Sequence, residues 1–221
     1  MSATLDFTIL SIEGNIGSGK TTLMANLREE YKNNPHVIFL KEPVDEWETI
    51  KDANGKTILE KFYADQEKYS FAFQMMAYIS RLNVLRKALK GIDPSKKYII
   101  ITERSLNTDR YVFAQMLYEA GKMEDVCYQI YLNWFDTFSE EFPVHKVVYV
   151  KTAPEICHAR ISMRAREGED CIPVEYLQSC DKYHEDMLQS TEKLVLDGNV
   201  DIHENKGKME DWLYEINYFI R

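Results

Sequence analysis

Apolar runs of strand length alternate with longer segments of mixed polarity along this chain. Residues 7–12 (FTILSI), 37–40 (VIFL), 98–102 (YIIIT) and 146–150 (KVVYV) read as strands. They are nearly continuous in apolar character, as expected of parallel strands covered on both faces. A weaker fifth strand is expected near residues 199–203. Helical segments are expected over 20–32, 58–89, 108–120, 123–138, 154–166, 174–192 and 208–220, the long 58–89 stretch with a kink or break. Strand and helix in alternation, joined by right-handed crossovers, give an α/β fold with a five-stranded parallel sheet flanked by helices. No internal repeat, low-complexity tract or linker interrupts the pattern, so residues 1–221 are read as a single domain.

Charge narrows the partners. The formal net charge of −9 disfavours a nucleic-acid partner, because such binding leans on a basic face. An anionic ligand must be held by a local positive pocket. No apolar run is long enough to span a membrane. Cys127, Cys157, Cys171 and Cys180 form neither a CxxC pair nor a metal-ligand spacing, so reduced thiols in a cytosolic protein are expected.

The most specific chemistry lies directly after the first strand. Gly14-Asn15-Ile16-Gly17-Ser18-Gly19-Lys20-Thr21 fits G-x-x-x-x-G-K-[ST] and is followed by Thr22 and a helix. Glycines let the backbone curl so that its N–H groups face a phosphate, and the helix adds its positive end. Lys20 neutralises the β- and γ-phosphates, and the Thr21 hydroxyl suits Mg²⁺. The motif implies a nucleoside triphosphate with Mg²⁺ but does not identify the acceptor.

Two further strands end in charge. Glu42 opens EPVDEW after the second strand, and Glu103-Arg104-Ser105 follows the third. The carboxyl ends of parallel strands face the ligand crevice of α/β sheets. There Glu42 can take a proton from an attacking hydroxyl. Arg104 can bind phosphate or hold Glu42, and Glu103 can reach Mg²⁺, directly or through water. Alone, Glu42 reads equally as a surface acid beside a loop proline, and Glu103-Arg104 as a surface ion pair. Arg160 and Arg164 share a helix face; with Arg166 they suit either a lid closing on the transferring phosphoryl group or a solvated basic helix.

In order, the glycine loop, EPVDEW, Phe73-Gln74 with Arg81, ERSLNTDRYVF (103–113) and RISMRAREGE (160–169) resemble the animal and viral deoxyribonucleoside kinases. The deoxycytidine and deoxyguanosine kinase branch matches best. The resemblance spans nearly the whole chain. It implies a P-loop kinase fold with a helical arginine-bearing lid at about residues 160–172, and γ-phosphate transfer from ATP or another NTP to a nucleoside 5′-hydroxyl. It makes Glu42 the general base, Arg104 the arginine of the hydroxyl region, and Glu103 the acid associated with Mg²⁺. It gives Gln74 the base edge, and Tyr63 with Glu169 the sugar 3′-hydroxyl. Trp47, Leu59, Phe62, Phe73 and Phe113 become apolar walls, and the donor base is placed near residues 201–204. A homodimer packed through helices is implied, with the apolar face of residues 71–89 as one candidate surface; that face reads equally as core.

The resemblance also places Ala77, Arg81 and Asp109 at the nucleobase, where a charged Arg/Asp pair looks like the deoxycytidine and deoxyguanosine kinase branch. Asp109 is a pure acceptor suited to an exocyclic amino group, whereas thymine would present a carbonyl and a methyl there. Small Ala77 leaves room for a purine. Deoxycytidine, deoxyadenosine or deoxyguanosine is therefore expected, with thymidine poor. A nucleoside monophosphate kinase of the thymidylate kinase type shares the P-loop and a DR pair, but ERS and EPVDEW speak against it. A nucleotide-dependent switch is disfavoured because Asn205-Lys206-Gly207-Lys208 lacks the acid of a guanine reader.

Overall fold

The computed structural model describes residues 5–164, 169, 172–202 and 205–221. Five parallel strands form one sheet: β1 (Asp6–Glu13), β2 (Val37–Leu40), β3 (Lys97–Glu103), β4 (Lys146–Lys151) and β5 (Lys193–Asp197), in the order β2-β3-β1-β4-β5. From β1 the chain crosses to the edge strand β2, returns to fill β3 between them, then crosses to β4 and β5 on the other side. The topological switch therefore falls at the carboxyl end of β1, where α/β sheets open a ligand crevice.

The fifth strand lies earlier than its expected place at 199–203. The helix before it, expected to run to residue 192, ends at Leu188, which frees K-L-V-L-D for pairing with β4. A short apolar run beside an amphipathic helix fits either element by periodicity. The Asp197 side chain then accepts from the Asn199 amides and turns the chain.

Helices cover both faces. On one, Leu10, Ile12, Ile101 and Val148 pack against Leu23 and Leu27 of α1 (Lys20–Glu30) and against Trp212 and Ile216 of α9 (Lys206–Ile220). On the other, Ile9 and Ile100 meet Tyr78, Leu82 and Leu85 of α4 (Gln66–Lys90) and Tyr131 and Phe135 of α6 (Asp125–Phe138). The residues of the 71–89 face that lie in this cluster, Phe71 and Met75 among them, are thus largely core.

The long helical stretch does break. Thr57 and Glu60 form a reciprocal capping box at the start of α3 (Ile58–Ala64). Asp65 then leaves helical geometry and caps α4 by accepting from the Lys68 amide. That corner, with a one-turn α2 (Val44–Trp47), sets Trp47, Leu59, Phe62, Phe73 and Ala77 in a separate apolar cluster above the sheet edge. After β3 the backbone widens into a π-helical turn, Thr108–Ala114, continuous with α5 (Gln115–Glu119). Such turns recur at functional sites. The fold is completed by α7 (Pro154–Arg164) and α8 (Val174–Leu188). Among the described residues no helix is long and apolar enough to cross a membrane.

Candidate active site

A cavity of about 700 Å³ opens at the switch point, its wall running from the glycine loop to the apolar cluster of α2, α3 and α4. The loop is curled by Gly14 (φ 143°), Gly17 (φ 78°) and Gly19 (φ 102°). Two of these have no room for a side chain. A Cβ at Gly17 would lie 2.6 Å from the Cys157 carbonyl oxygen of α7, and one at Gly14 2.6 Å from that of Val150 in β4. Ile16 through Thr22 line the cavity, whereas Gly14 and Asn15 do not. Asn15 instead braces the loop from behind: its Nδ2 donates to the Leu177 carbonyl at 2.8 Å and its Oδ1 accepts from the Ile16 amide at 2.8 Å.

Lys20 is buried, and its Nζ donates to the Asn15 carbonyl at 2.6 Å. Burial and the nearby Arg104 charge bring its pKa down to about 8, against the opposing pull of Glu103 and Glu42. Thr21 Oγ1 donates to Glu103 Oε1 at 2.8 Å, which places both at the same end of the loop.

The strand-end charges are not on the surface. Glu103 and Arg104 are both buried. Arg104 Nη1 bonds both oxygens of Glu42, at 2.7 and 2.9 Å, and Arg81 Nη2 reaches Glu42 Oε1 at 2.9 Å. Burial alone would raise the Glu42 carboxyl, but Arg104, Arg81 and Lys20 outweigh it and bring its pKa down to about 2. Arg104 holds this place at φ 63°, the single positive φ outside glycine among the described residues. Such strain costs about 1–3 kcal/mol and persists only where the surroundings enforce it. Its guanidinium lies 5.1 Å from the Phe113 ring centroid, and its Nε is buried without a protein partner.

Arg81 does not line the cavity; it organises the wall from behind. Besides Glu42, it bonds Asp109 Oδ2 through Nε at 2.8 Å and the Glu103 carbonyl through Nη1 at 2.7 Å. Burial raises the Asp109 carboxyl above its usual range, opposed by Arg81. Gln74, Ala77 and Asp109 share the cavity wall with stacked Phe62 and Phe73, whose centroids are 4.6 Å apart. Trp47 meets Phe73 edge-on and donates to Ser80 Oγ at 2.8 Å. Leu59 and Phe113 complete this apolar lining.

Tyr63 and Glu169 also meet here. Burial, then the Glu169 charge, pushes the Tyr63 hydroxyl well above its ordinary pKa. Glu169 pairs with Arg164. Arg160 turns to carbonyls, donating from Nη1 to Gly198 at 2.9 Å and Ser18 at 3.5 Å, and from Nη2 to Val200 at 3.4 Å. Arg166 lies outside the described residues. Asp201 and Ile202 also line the cavity; residues 203 and 204 lie outside the described residues.

Several wall residues escaped the sequence reading. Trp212, Val200, Gly198, Met163, Tyr176 and Val44 all line the cavity. Trp212 and Tyr176 sit on ordinary amphipathic helices, where nothing local separates a core ring from a cavity ring. Glu13, fully buried at the end of β1, did carry a signal, since it is an acid closing an apolar strand.

Comparison with known proteins agrees with this geometry. Residues 10–221 match the deoxynucleoside kinase family model. The chain is 32% identical over 240 residues to deoxycytidine kinase 1 of Xenopus laevis, covering 96% of this chain and 89% of that one. It is 32% identical over 237 residues to human deoxycytidine kinase, covering 96% and 90%. It is 33% identical over 183 residues to human mitochondrial thymidine kinase 2, covering 82% and 64%. The family match spans the glycine loop, the buried carboxylates and the cavity wall, and with relatives of this identity and coverage the chain belongs to the deoxynucleoside kinase family.

Proposed function

We propose that this kinase moves the γ-phosphate of ATP, or another NTP, onto the 5′-hydroxyl of deoxycytidine, deoxyadenosine or deoxyguanosine, with thymidine a poor acceptor. The observation that carries the proposal is the placing of Glu42, pinned by Arg104 and Arg81, on the wall that also holds Lys20 and the glycine loop. An acceptor hydroxyl between them meets a carboxylate on one side and a phosphate cradle on the other. Glu42 takes the hydroxyl proton at its carboxylate. Its low pKa makes it a weak base, which suffices when the transition state is loose and the proton leaves late. Lys20, Arg104 with its unpartnered Nε, and the arginines of α7 face the charge on the phosphoryl oxygens. Arg160 and Arg164 are the described arginines of the lid we propose for about 160–172 of a single kinase domain; the third proposed lid arginine, Arg166, lies outside the described residues.

The hard oxygen pair of Thr21 Oγ1 and Glu103 Oε1 fits Mg²⁺, which takes few protein ligands beside phosphates. When bound, Mg²⁺ offsets charge on the β- and γ-phosphates.

For the base, Arg81 holds Asp109 Oδ2, and an amino group on cytosine or adenine would meet Oδ1. A thymine carbonyl there would face an acceptor, a mismatch of about 1–3 kcal/mol; guanine, with a carbonyl at the same edge, fits only if its 2-amino group meets Asp109 instead. The exposed Ile79 of α4 with Val126, Ile130 and Trp134 of α6 forms the proposed homodimer surface. Free Cys127, Cys157 and Cys180 fit the cytosolic setting we propose. The test is transfer from ATP, and separately from another NTP, to each of the four deoxyribonucleosides. Thymidine as the best acceptor would overturn the base reading, and no transfer to any nucleoside the whole. Sedimentation of wild type against Trp134→Glu tests the dimer, with an unchanged mass refuting it.

A further inference from the structure

Glu13 is the last residue of β1, directly before the glycine loop, and is 1% exposed. It shares a strand face with Ile9 and Ser11 by the two-residue period, so it points toward the layer that carries the nucleoside wall. Its carboxylate accepts three hydroxyl bonds: from Ser11 Oγ at 2.5 Å, Ser105 Oγ at 2.7 Å and Thr108 Oγ1 at 2.5 Å. Among the described residues no cation pairs with it. A buried acid satisfied by hydroxyls alone is a poor way to stabilise a core, where an apolar side chain of the same size does as well or better.

Its partners are informative. Ser105 directly follows Arg104, the strained residue that grips Glu42, and the Arg104 amide is tied to the Ile12 carbonyl at 3.0 Å. The adjacent pairs Ile12-Glu13 and Arg104-Ser105 are thus locked together. Thr108 opens the π-helical turn that carries Asp109 and Phe113. Ser105 and Thr108 also cap each other, each amide reaching the other's hydroxyl at 3.4 Å. One carboxylate therefore spans the phosphate cradle, the arginine that holds Glu42, and the turn that presents the base-facing acid.

We propose that Glu13 is a positioning residue for phosphoryl transfer, fixing the turn at 104–109 relative to the glycine loop through Ser105 and Thr108. The inference rests on the kinase reading above. It requires a kinetic cost out of proportion to any loss of folding, because a misplacement near 1 Å can lower turnover about a hundredfold.

The test compares wild type, Glu13→Leu, Glu13→Gln and Thr108→Val. Wild-type transfer to a deoxyribonucleoside is the control; its absence would sink the kinase reading and not this one. Melting temperature, kcat, KM for the nucleoside, and Kd for ATP without nucleoside are measured on each. The expected result is Glu13→Leu folded, with kcat down roughly 30- to 100-fold and ATP affinity within about threefold of wild type. Glu13→Gln keeps an acceptor and lets the hydroxyls reorient, so it regains most of the turnover. Glu13→Leu with kcat within about threefold of wild type, or Gln no better than Leu, overturns the proposal. Should Glu13→Leu not fold, Thr108→Val decides: a fall in kcat at unchanged ATP affinity supports the link, and an unchanged kcat refutes it.

Discussion

Replacing Glu42 by Gln keeps the shape of the side chain and removes its charge. In the native site that charge is held by Arg104 and Arg81 at 2.7–2.9 Å. Burial opposes the ionised form, yet the two guanidiniums and Lys20 bring the carboxyl from an ordinary 4.5 to about 2. That difference favours the ionised state by about 3 kcal/mol. The contribution to stability is complete above about pH 4.5 and is lost as pH falls toward 2. The variant forfeits it at neutral pH, so a drop of the order of 3 kcal/mol in unfolding free energy is expected. Turnover should fall further, by about 10²- to 10⁴-fold, the usual worth of a positioned general base. The assay is monophosphate formation at saturating ATP and nucleoside, on protein shown to be folded by its melting curve. ATP affinity at pH 7 should change little. The kcat/KM profile of the wild type carries a second check, since a base of this pKa gives no acid limb above about pH 4. A kcat within tenfold of wild type in the folded variant would remove Glu42 from the chemistry. An acid limb near neutrality would do the same.

Other expectations follow from the neighbouring groups. Burial and Arg104 bring the Lys20 pKa down to about 8, and a bound triphosphate must raise it. ATP binding at pH 8.5 should therefore take up protons, and affinity should weaken as pH rises through 8; calorimetry in two buffers of different ionisation enthalpy would show no uptake if the reasoning fails. His184, buried between Phe113 and Tyr149, is lowered by burial to about 3. Its neutral form supports the fold fully above about pH 6.5, and that support is lost at ~1.4 kcal/mol per pH unit on descending toward 3. Melting temperatures at pH 7 and 5 should differ less in His184→Gln than in wild type, and equal differences would contradict this. Asp109→Ala removes the acceptor on the base wall, so the kcat/KM ratio of thymidine to deoxycytidine should rise about ten- to a hundredfold; an unchanged ratio refutes the assigned role.

The parts of the site that could be read from the chain are those whose information is local. The glycine loop is contiguous, and its geometry follows from the residues themselves. Glu42 and Arg104 were legible at one remove, because both close apolar strands and parallel strands end at the crevice. Arg81 was marked for the base, but its wider part was hidden. Its links to Glu42, Asp109 and the Glu103 carbonyl span sequence separations of 39, 28 and 22, and no local pattern encodes them. The fifth strand was misplaced because K-L-V-L-D, a half-buried edge strand, is too short for periodicity to separate from the helix before it. Trp212 was missed since a helix ring facing a cavity looks, in sequence, like one facing core.

Charge balance ties these observations together. The chain as a whole is acidic, yet its cavity gathers Lys20, Arg104, Arg160 and Arg164. Each of the four is engaged within the chain. Arg104 holds Glu42, Arg164 holds Glu169, and Arg160 and Lys20 are spent on backbone carbonyls. A carbonyl offers only a partial charge, so Lys20 and Arg160 gain most by exchanging it for phosphate oxygen. Arg104 has no such freedom, since its strained backbone and its grip on both Glu42 oxygens fix it in place. On the proposed reading, the donor would be captured by cations that can change partners, while the reacting line would be set by one that cannot. For a loose transition state with little basicity to exploit, that division puts the demand on position, and so on whatever holds residue 104 where it is.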